Sequence, residues 1–274
     1  MNRERLREQV QAPTSLEGAK GGAGRHSTLV LGAIPFIVAF GIWDALGWLD
    51  LQSLRYVIPT PESVLAALYD DFASGVIWRH VVVTLEELAL GLLIAIAAAL
   101  ALGVVIGRSD RLERSFYPII VFFQAVPKVA LAPLWLIAFG FGIGSKVALA
   151  AMVGFFPLLV GVIVGMAAMR REEVELMRSL KATPWQIFVK VQLPRAIPSI
   201  FGGLEVGALF ALIGAVVGEF VGAQAGLGYL IQFRSTRLDL PGIFSPLAVL
   251  ALIGLVLDLG AKAVGRRLMT WEGE

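Results

Sequence analysis

Six apolar stretches, each close to the length of a bilayer-crossing helix, punctuate this chain at residues 28–48, 88–107 (with an alternative start near His80), 116–139, 147–169, 200–220 and 243–263. A hydrocarbon core about 30 Å thick needs about 20 residues of helix at a rise of about 1.5 Å each. Backbone groups in lipid must bond to one another, so a spanning segment is either a helix or part of a closed barrel. The two-residue alternation of a barrel strand is absent, and an all-α polytopic membrane protein with six transmembrane helices is expected. Composition agrees. The AVILMFWYC set makes up 57% of the 274 residues, 30 more are glycine, and only 16% are charged. A soluble domain of this size has too little polar cover at that ratio.

Basic residues set the expected orientation. With the N-terminus inside, 17 of the 23 lysines and arginines fall in cytoplasmic segments, among them Arg108, Arg111, Arg114, Arg170, Arg171, Arg178, Lys181, Lys190 and Arg195. Five fall outside (Arg55, Arg79, Lys146, Arg234 and Arg237), and Lys128 lies within the third stretch. This bias places both termini in the cytoplasm. Residues 1–26 are polar and glycine-bearing and are expected to be a flexible cytoplasmic lead, with a membrane domain over 27–274. The first stretch lacks a small-residue cleavage pattern and is expected to remain as an uncleaved span.

Several chemistries lack their residues. There is no cysteine, and His26 and His80 lie far apart without metal-ligand spacing. Neither HExxH, GxSxG nor a G-x-x-x-x-G-K-[ST] phosphate loop occurs, so the chain is not expected to be an enzyme or to hydrolyse ATP alone. No cofactor, metal or nucleic acid is expected to bind it.

Residues 170–199 interrupt the apolar pattern. In "REEVELMRSLKA", Val174, Met177 and Leu180 recur every three residues, as on a short surface helix. Next comes "TPWQ", where Thr183 is placed to cap, Pro184 to occupy the first helical position and Gln186 to complete a capping box. A second short helix is expected from Pro184 towards Gln192, with Pro194 and Pro198 imposing a bend or extended backbone before the fifth span. The segment reads equally as a basic interfacial loop or as a docking surface.

Embedded features follow. Gly203, Gly207, Gly214 and Gly218 fall on one stripe of the fifth span, suited to close approach by another helix, while Glu205 and Glu219 project nearly opposite. Embedded carboxylates face protein or water, so the two glutamates are either structural partners or part of a translocation lining. The third stretch is broken by Pro127 and Pro133, which makes it a pathway element. Lys128 beside them would attract an anion, snorkel to a phosphate or pair with a carboxylate. Asp44 and Asp258 read as helix-end or interhelical groups. Beyond the first span, "YVIPTPESVLAALYDDF" reads as an interface-parallel helix, and Gly226 and Gly228 allow a tight loop before "YLI".

Glu175 to Pro194, with "RAIPSIFGGLEVG" after it, resembles the cytoplasmic signature of permease subunits in bacterial ATP-driven uptake transporters. "HVVVTLEELALGLLIAIAAALALGVVIG", "PKVALAPLWLIAFGFGIGSK" and "GEFVGAQAGLGYLI" are similar to the branch that carries nitrate, taurine and other sulfonates, bicarbonate and some vitamin precursors. The resemblance implies the type I ABC importer permease fold. It also implies a second copy of the chain, two cytoplasmic ABC ATPase subunits holding ATP and Mg, an extracytoplasmic binding protein and a small solute, in a setting of inner-membrane lipid. Taurine, another sulfonate or nitrate is the solute expected; a vitamin or pyrimidine precursor is the alternative within the same role. An ion-coupled secondary transporter using Glu205 and Glu219 is the alternative mechanism.

On this chain the family's ATPase-coupling loop maps onto Glu175, Ala182, Phe188, Leu193 and Pro194, around the corner formed by Leu180, Lys181, Thr183 and Pro184. Lys181 stands where the family usually has glycine. A relaxed corner, within helical or bridge angles, is expected there, since a lysine at positive φ costs about 1 kcal/mol; a strained Lys181, or one that meets an acidic group on the ATPase, is the alternative.

Overall fold

The structure is a computed structural model that describes residues 34–35, 38, 41–43, 59–168 and 171–268. Residues 1–61 and 62–274 form two compact units. The expected lead over 1–26 lies outside the described residues, as does Asp44. So does most of the first expected span, of which the described residues are helical. Within this unit the Trp43 indole donates to the Pro59 carbonyl at 2.9 Å.

The second unit is helical throughout its described elements. Ten α-helices follow one another: α1 (Pro61–Ala73), α2 (Val76–Gly107), α3 (Asp110–Ala125), α4 (Ala132–Phe139), α5 (Ile143–Ala167), α6 (Arg171–Ser179), α7 (Pro184–Ile187), α8 (Leu193–Gly222), α9 (Leu227–Ser235) and α10 (Leu240–Leu268). A 3-10 turn at Lys128–Leu131 precedes α4, and a π-turn at Phe188–Gln192 joins α7 to α8. Four runs are long and apolar enough to cross a membrane: Val76–Gly107, Ile143–Ala167, Pro184–Gly222 and Leu240–Leu268. A fifth candidate is the pair Arg111–Ala125 and Lys128–Phe139, bent by 74°. The bend has a local cause. Val126, which precedes Pro127, is extended at φ −64° and ψ 127°, the conformation that a following proline ring favours.

Glycine sets the packing of the core. Gly203, Gly207, Gly214 and Gly218 of α8 face α5, which answers with Gly154, Gly161 and Gly165. A Cβ at Gly161 would lie 2.7 Å from the Ser199 carbonyl and 2.8 Å from the Gly203 Cα, so only hydrogen fits between these backbones. α2 packs on α5 in the same way, Gly91 against Ala150 and Gly107 against Met166. Apolar side chains fill the rest of the α2–α5 seam, including Ala95, Ala99, Leu158, Leu159 and Ile163. Three helices are thereby welded into one slab, with α10 against α8 and α9.

The second span begins at Val76, before the expected start at residue 88 and four residues before the alternative start near His80, and the helix includes His80, Thr84 and Glu87. Gly75, at φ 76°, makes the turn that separates α1 from α2. The bend expected at Pro194 and Pro198 does not occur, and the helix is continuous from Pro184 to Gly222. Pro194 lies inside this continuous run, just after the π-turn, whose wider turn, with Leu193 N bonded to Phe188 O, makes room for the ring.

α1, α9 and α10 are tied by one polar knot. Asp71 accepts from both terminal nitrogens of Arg234 and from the Ser245 hydroxyl, and Arg234 also donates to the Gly242 carbonyl at 2.6 Å. The Asp71 hydrogen bond holds the Arg234 guanidinium above its ordinary pKa against the opposing effect of burial. Asp258 pairs within its own helix, with Lys262 at 2.7 Å.

Candidate functional site

Three places hold the residues singled out by the sequence: a corner between α6 and α7, a cleft beside the broken helix, and a buried polar cluster at the far end of α8.

The corner is built from backbone bonds. Lys181 N donates to Arg178 O at 2.9 Å and Ala182 N to Met177 O at 3.0 Å, the paired bonds of a Schellman C-terminus. That motif needs a left-handed residue, and Lys181 takes it at φ 59°. The relaxed corner is therefore overturned: closing the two bonds outweighs the cost of placing a side chain at positive φ. Leu238 repeats the device at φ 57°, with Leu238 N bonded to Ser235 O and Asp239 N to Arg234 O, both at 3.1 Å. Two residues after Lys181 the chain restarts as α7 with the expected capping box, Gln186 N to Thr183 Oγ1 at 3.3 Å and Thr183 N to Gln186 Oε1 at 2.8 Å.

Around this corner Glu175, Leu180, Lys181, Thr183 and Pro184 are exposed, Ala182, Phe188, Leu193 and Pro194 are half-buried, and Ile187 is buried. Trp185, 66% exposed, rests against Phe188 with ring centroids 5.5 Å apart. The Arg108 guanidinium, at the end of α2, lies 4.1 Å from the Phe188 ring centre. Gln192 reaches the Met166 carbonyl at the end of α5, at 3.4 Å. Arg195 and Glu173 form an ion pair between α8 and α6. The outer face thus presents Leu176, Leu180 and Trp185 to the surroundings while the inner face is fastened to three spans. Arg108 and Gln192 were missed by sequence reasoning, because contacts across 80 and 26 residues leave no local spacing.

The cleft, of about 580 Å³, opens between α3, α5 and α8 and is lined by Gln124, Lys128, Phe156, Pro157, Ser199 and Gly203 among others. Lys128 donates to the Gln124 carbonyl at 3.1 Å and its ammonium lies 4.7 Å from the Phe156 ring centre. It is the one charged side chain lining this cleft, among the described residues. Pro127 and Pro133 are exposed and frame the break beside it. Glu205 is half-buried and lies outside the lining.

Glu219 is elsewhere. It is 1% exposed and accepts from the Thr84 hydroxyl at 2.6 Å and from the backbone N–H groups of Gly228 and Tyr229 at the start of α9. Thr84 in turn accepts from Leu227 N at 2.8 Å, and His80 Nδ1 from Gly226 N at 3.0 Å. Gly226 adopts φ 117°, which allows the tight loop expected there. Glu87 lies within hydrogen-bonding reach of Glu219, and its Oε2 has no partner among the described residues. Lys146, counted above with the outer segments, is 1% exposed and donates to the carbonyls of Phe141 (2.6 Å), Gly142 (3.1 Å) and Gly222 (2.7 Å). A cation among carbonyls at the end of α8 meets the negative pole of the helix. Of the path candidates, then, only Lys128 lines the cleft, with Pro127 and Pro133 at its edge.

Residues 91–270 match the family described as the inner membrane component of binding-protein-dependent transport systems. The chain belongs to this family. The permease is 32% identical to a formylaminopyrimidine transport permease, ThiX, of Halalkalibacterium halodurans, over 86% of this chain and 94% of that protein. It is 38% identical to a riboflavin transport permease, RibX, of Chloroflexus aurantiacus, over 79% and 81%. With the taurine transport permease TauC of Escherichia coli it shares 30%, over 91% and 92%. Its fold superposes on a chain of a methionine ABC transporter, MetNI, in an inward-facing form, with a TM-score of 0.62 and 20% identity over 70% of this chain and 95% of that one. The permease is thus a multi-pass inner-membrane component of an ABC importer with the type I fold. It is a transport subunit without catalytic activity of its own.

Proposed function

We propose that two copies of the permease enclose a path for a small anionic solute, with taurine, another sulfonate or nitrate as the favoured cargo. Two ABC ATPase subunits, holding ATP and Mg, dock on the corner at Glu175–Pro194, and an extracytoplasmic binding protein delivers the solute to the opposite side. Both termini and the corner lie in the cytoplasm, and α1 and α9 lie outside. The observation that carries the reading is the corner itself. A Schellman turn and a capping box leave it little freedom, and the helix that starts at Pro184 runs unbroken across the membrane, so a push at the corner moves a whole span. Pro127, Lys128 and Pro133 belong to the path in this reading. Glu205 and Glu219 support it from outside the lining.

An anion is favoured because Lys128 brings the only charge to the described lining of the cleft, where an apolar wall strengthens its field. A vitamin or pyrimidine precursor is the second reading, since two relatives are transport permeases for riboflavin and formylaminopyrimidine. The test is vesicle uptake by the permease assembled with its ATPase and binding protein, with taurine, nitrate, riboflavin and formylaminopyrimidine as cargo. ATP-dependent uptake of taurine or nitrate supports the proposal. Proton-dependent uptake by the chain alone, without ATP, would overturn it in favour of a secondary transporter.

A further inference from the structure

A helix begins with backbone N–H groups that its own carbonyls cannot reach. In α9, four successive donors in and beside the first turn, Gly226, Leu227, Gly228 and Tyr229, go to side chains of two other helices: His80 and Thr84 on α2 and Glu219 on α8. His80 and Thr84 are four residues apart and share one face of α2. The Thr84 hydroxyl bridges the two arms, accepting from Leu227 and donating to Glu219. The His80 ring also stacks on Tyr229, with centroids 5.9 Å apart. A Cβ at Gly228 would lie 2.7 Å from the Val216 carbonyl, so α9 also abuts the backbone of α8.

The same two helices hold the corner at their other ends. Arg108 closes α2 over Phe188, and α8 is continuous with α7. Between the ends, α2, α5 and α8 are locked by glycine contacts, and Lys146 binds the last carbonyl of α8 to the start of α5.

Taking the importer reading as given, we propose that Glu219 is a positioning residue: with Thr84 and His80 it clasps α9 to the slab, so that α9 and the α6–α7 corner move as one body during transport. The clasp has a narrow tolerance. A separation of α2 from α8 by about 1.5 Å, one helical step, along the Thr84–Glu219 direction would stretch that 2.6 Å hydrogen bond to about 4 Å, beyond bonding range. Freed donors then lose their partners inside a buried site, so partial release is disfavoured. Transport then depends on the clasp for the fastening of the outer segment to the motor-driven span, rather than for contact with the solute.

The natural absence of cysteine allows a direct test. Spin labels at Arg79→Cys on α2 and Gln232→Cys on α9, both exposed positions, report the α2–α9 distance in the assembled transporter. The wild-type background is expected to give one narrow distance with and without ATP, and Glu219→Gln a broad distribution. In uptake assays on assembled complexes of equal yield, Glu219→Gln is expected to retain basal ATP hydrolysis and to lose solute moved per ATP by about tenfold or more. A purely structural glutamate would lower yield and leave that ratio unchanged. Should Glu219→Gln fail to assemble, Thr84→Val is read in its place, with Thr84→Ser expected to restore both readouts. An unchanged ratio together with a narrow distance in the variants overturns the clasp while leaving the importer standing. If the wild-type complex shows no ATP-driven uptake, the importer reading falls, and the clasp stands or falls on the distance measurement alone. A wild-type distribution as broad as the variant's overturns it.

Discussion

The two ends of α8 are fastened by opposite means. At the Leu193 end, the corner is shaped by bonds between neighbours in sequence: Met177 to Ala182, Arg178 to Lys181, Thr183 to Gln186. At the Gly222 end, the first turn of α9 is held by side chains 143 and 146 positions away in sequence, Thr84 and His80, together with Glu219. A local device keeps its shape wherever the segment goes. A long-range device exists only while the helices that supply it keep their register. The corner can therefore meet a partner and yield to it as a unit, whereas the α9 end reports whether the slab is intact. Between them lies the α5–α8 seam, on which both depend.

The largest expected effect comes from breaking that seam. Gly161→Leu drives a side chain into the Ser199 carbonyl and the Gly203 backbone, neither of which can give way by rotating a bond. Overpacking of this kind costs about 3 kcal/mol or more. Monodisperse protein recovered in detergent should fall to a small fraction of the wild-type yield, with both ends lost together. Gly202→Leu, on α8 beside the same seam, is the control, because a Cβ there would meet nothing within 4 Å. Equal losses from the two variants would mean that helix propensity, and not the seam, sets the yield.

Thr84→Val comes next and strikes only the long-range end. It leaves the Leu227 N–H and one Glu219 oxygen without partners inside a fully buried site, at about 1–3 kcal/mol for each group. Thermal unfolding in detergent should show a fall of several degrees, while Thr84→Ser, which keeps the hydroxyl, should stay close to wild type. A loss in Thr84→Ser as large as in Thr84→Val would assign the effect to the missing methyl and remove the distinction between the two ends.

This contrast also explains what the sequence made legible. The capping box at Thr183 and Gln186, the glycine stripe on α8 and the break at Pro127 each depend on spacing within a few residues, and each was found where the spacing placed it. The clasp was not. His80 was dismissed for lack of nearby ligands, and Lys146 was counted as an ordinary loop charge. Their partners stand 146 and 76 residues away, at Gly226 and Gly222. Glu219 was noticed as an embedded carboxylate, but a helical wheel states only which face it leaves, not that the backbone of α9 waits there. The prolines misled in the other direction. Pro194 and Pro198 forecast a bend by local rule, and a π-turn upstream absorbed the mismatch.

Removing the local cap tests the near end alone. Thr183→Ala should cost about 1 kcal/mol of local stability, the usual value of an N-cap hydroxyl. Global unfolding should barely move, because α7 frays without disturbing the seam. Hydrogen exchange at Gln186 N should speed up by about fivefold, as expected for that energy. A global loss equal to that of Thr84→Val would mean that the corner is coupled to the core more tightly than its local bonds imply.

The smallest effect is expected at Lys181, and its sign is the informative part. Glycine accepts φ 59° freely, which relieves about 1 kcal/mol, but it also loosens the unfolded chain by roughly 0.4–1 kcal/mol. The net for Lys181→Gly is a gain of no more than about 0.5 kcal/mol, or a rise of about 1–2 °C in a domain of this size. Leu238→Gly should behave alike, since Leu238 holds the same left-handed position in the same pair of bonds. If Leu238→Gly stabilises and Lys181→Gly does not, the backbone account holds for one turn and the lysine side chain must supply a compensating contact at the other. Measuring Lys181→Gly with and without the ATPase bound then locates that contact. A penalty that appears only in the complex places the ammonium against an acidic group of the motor; one present in both states places it within the corner.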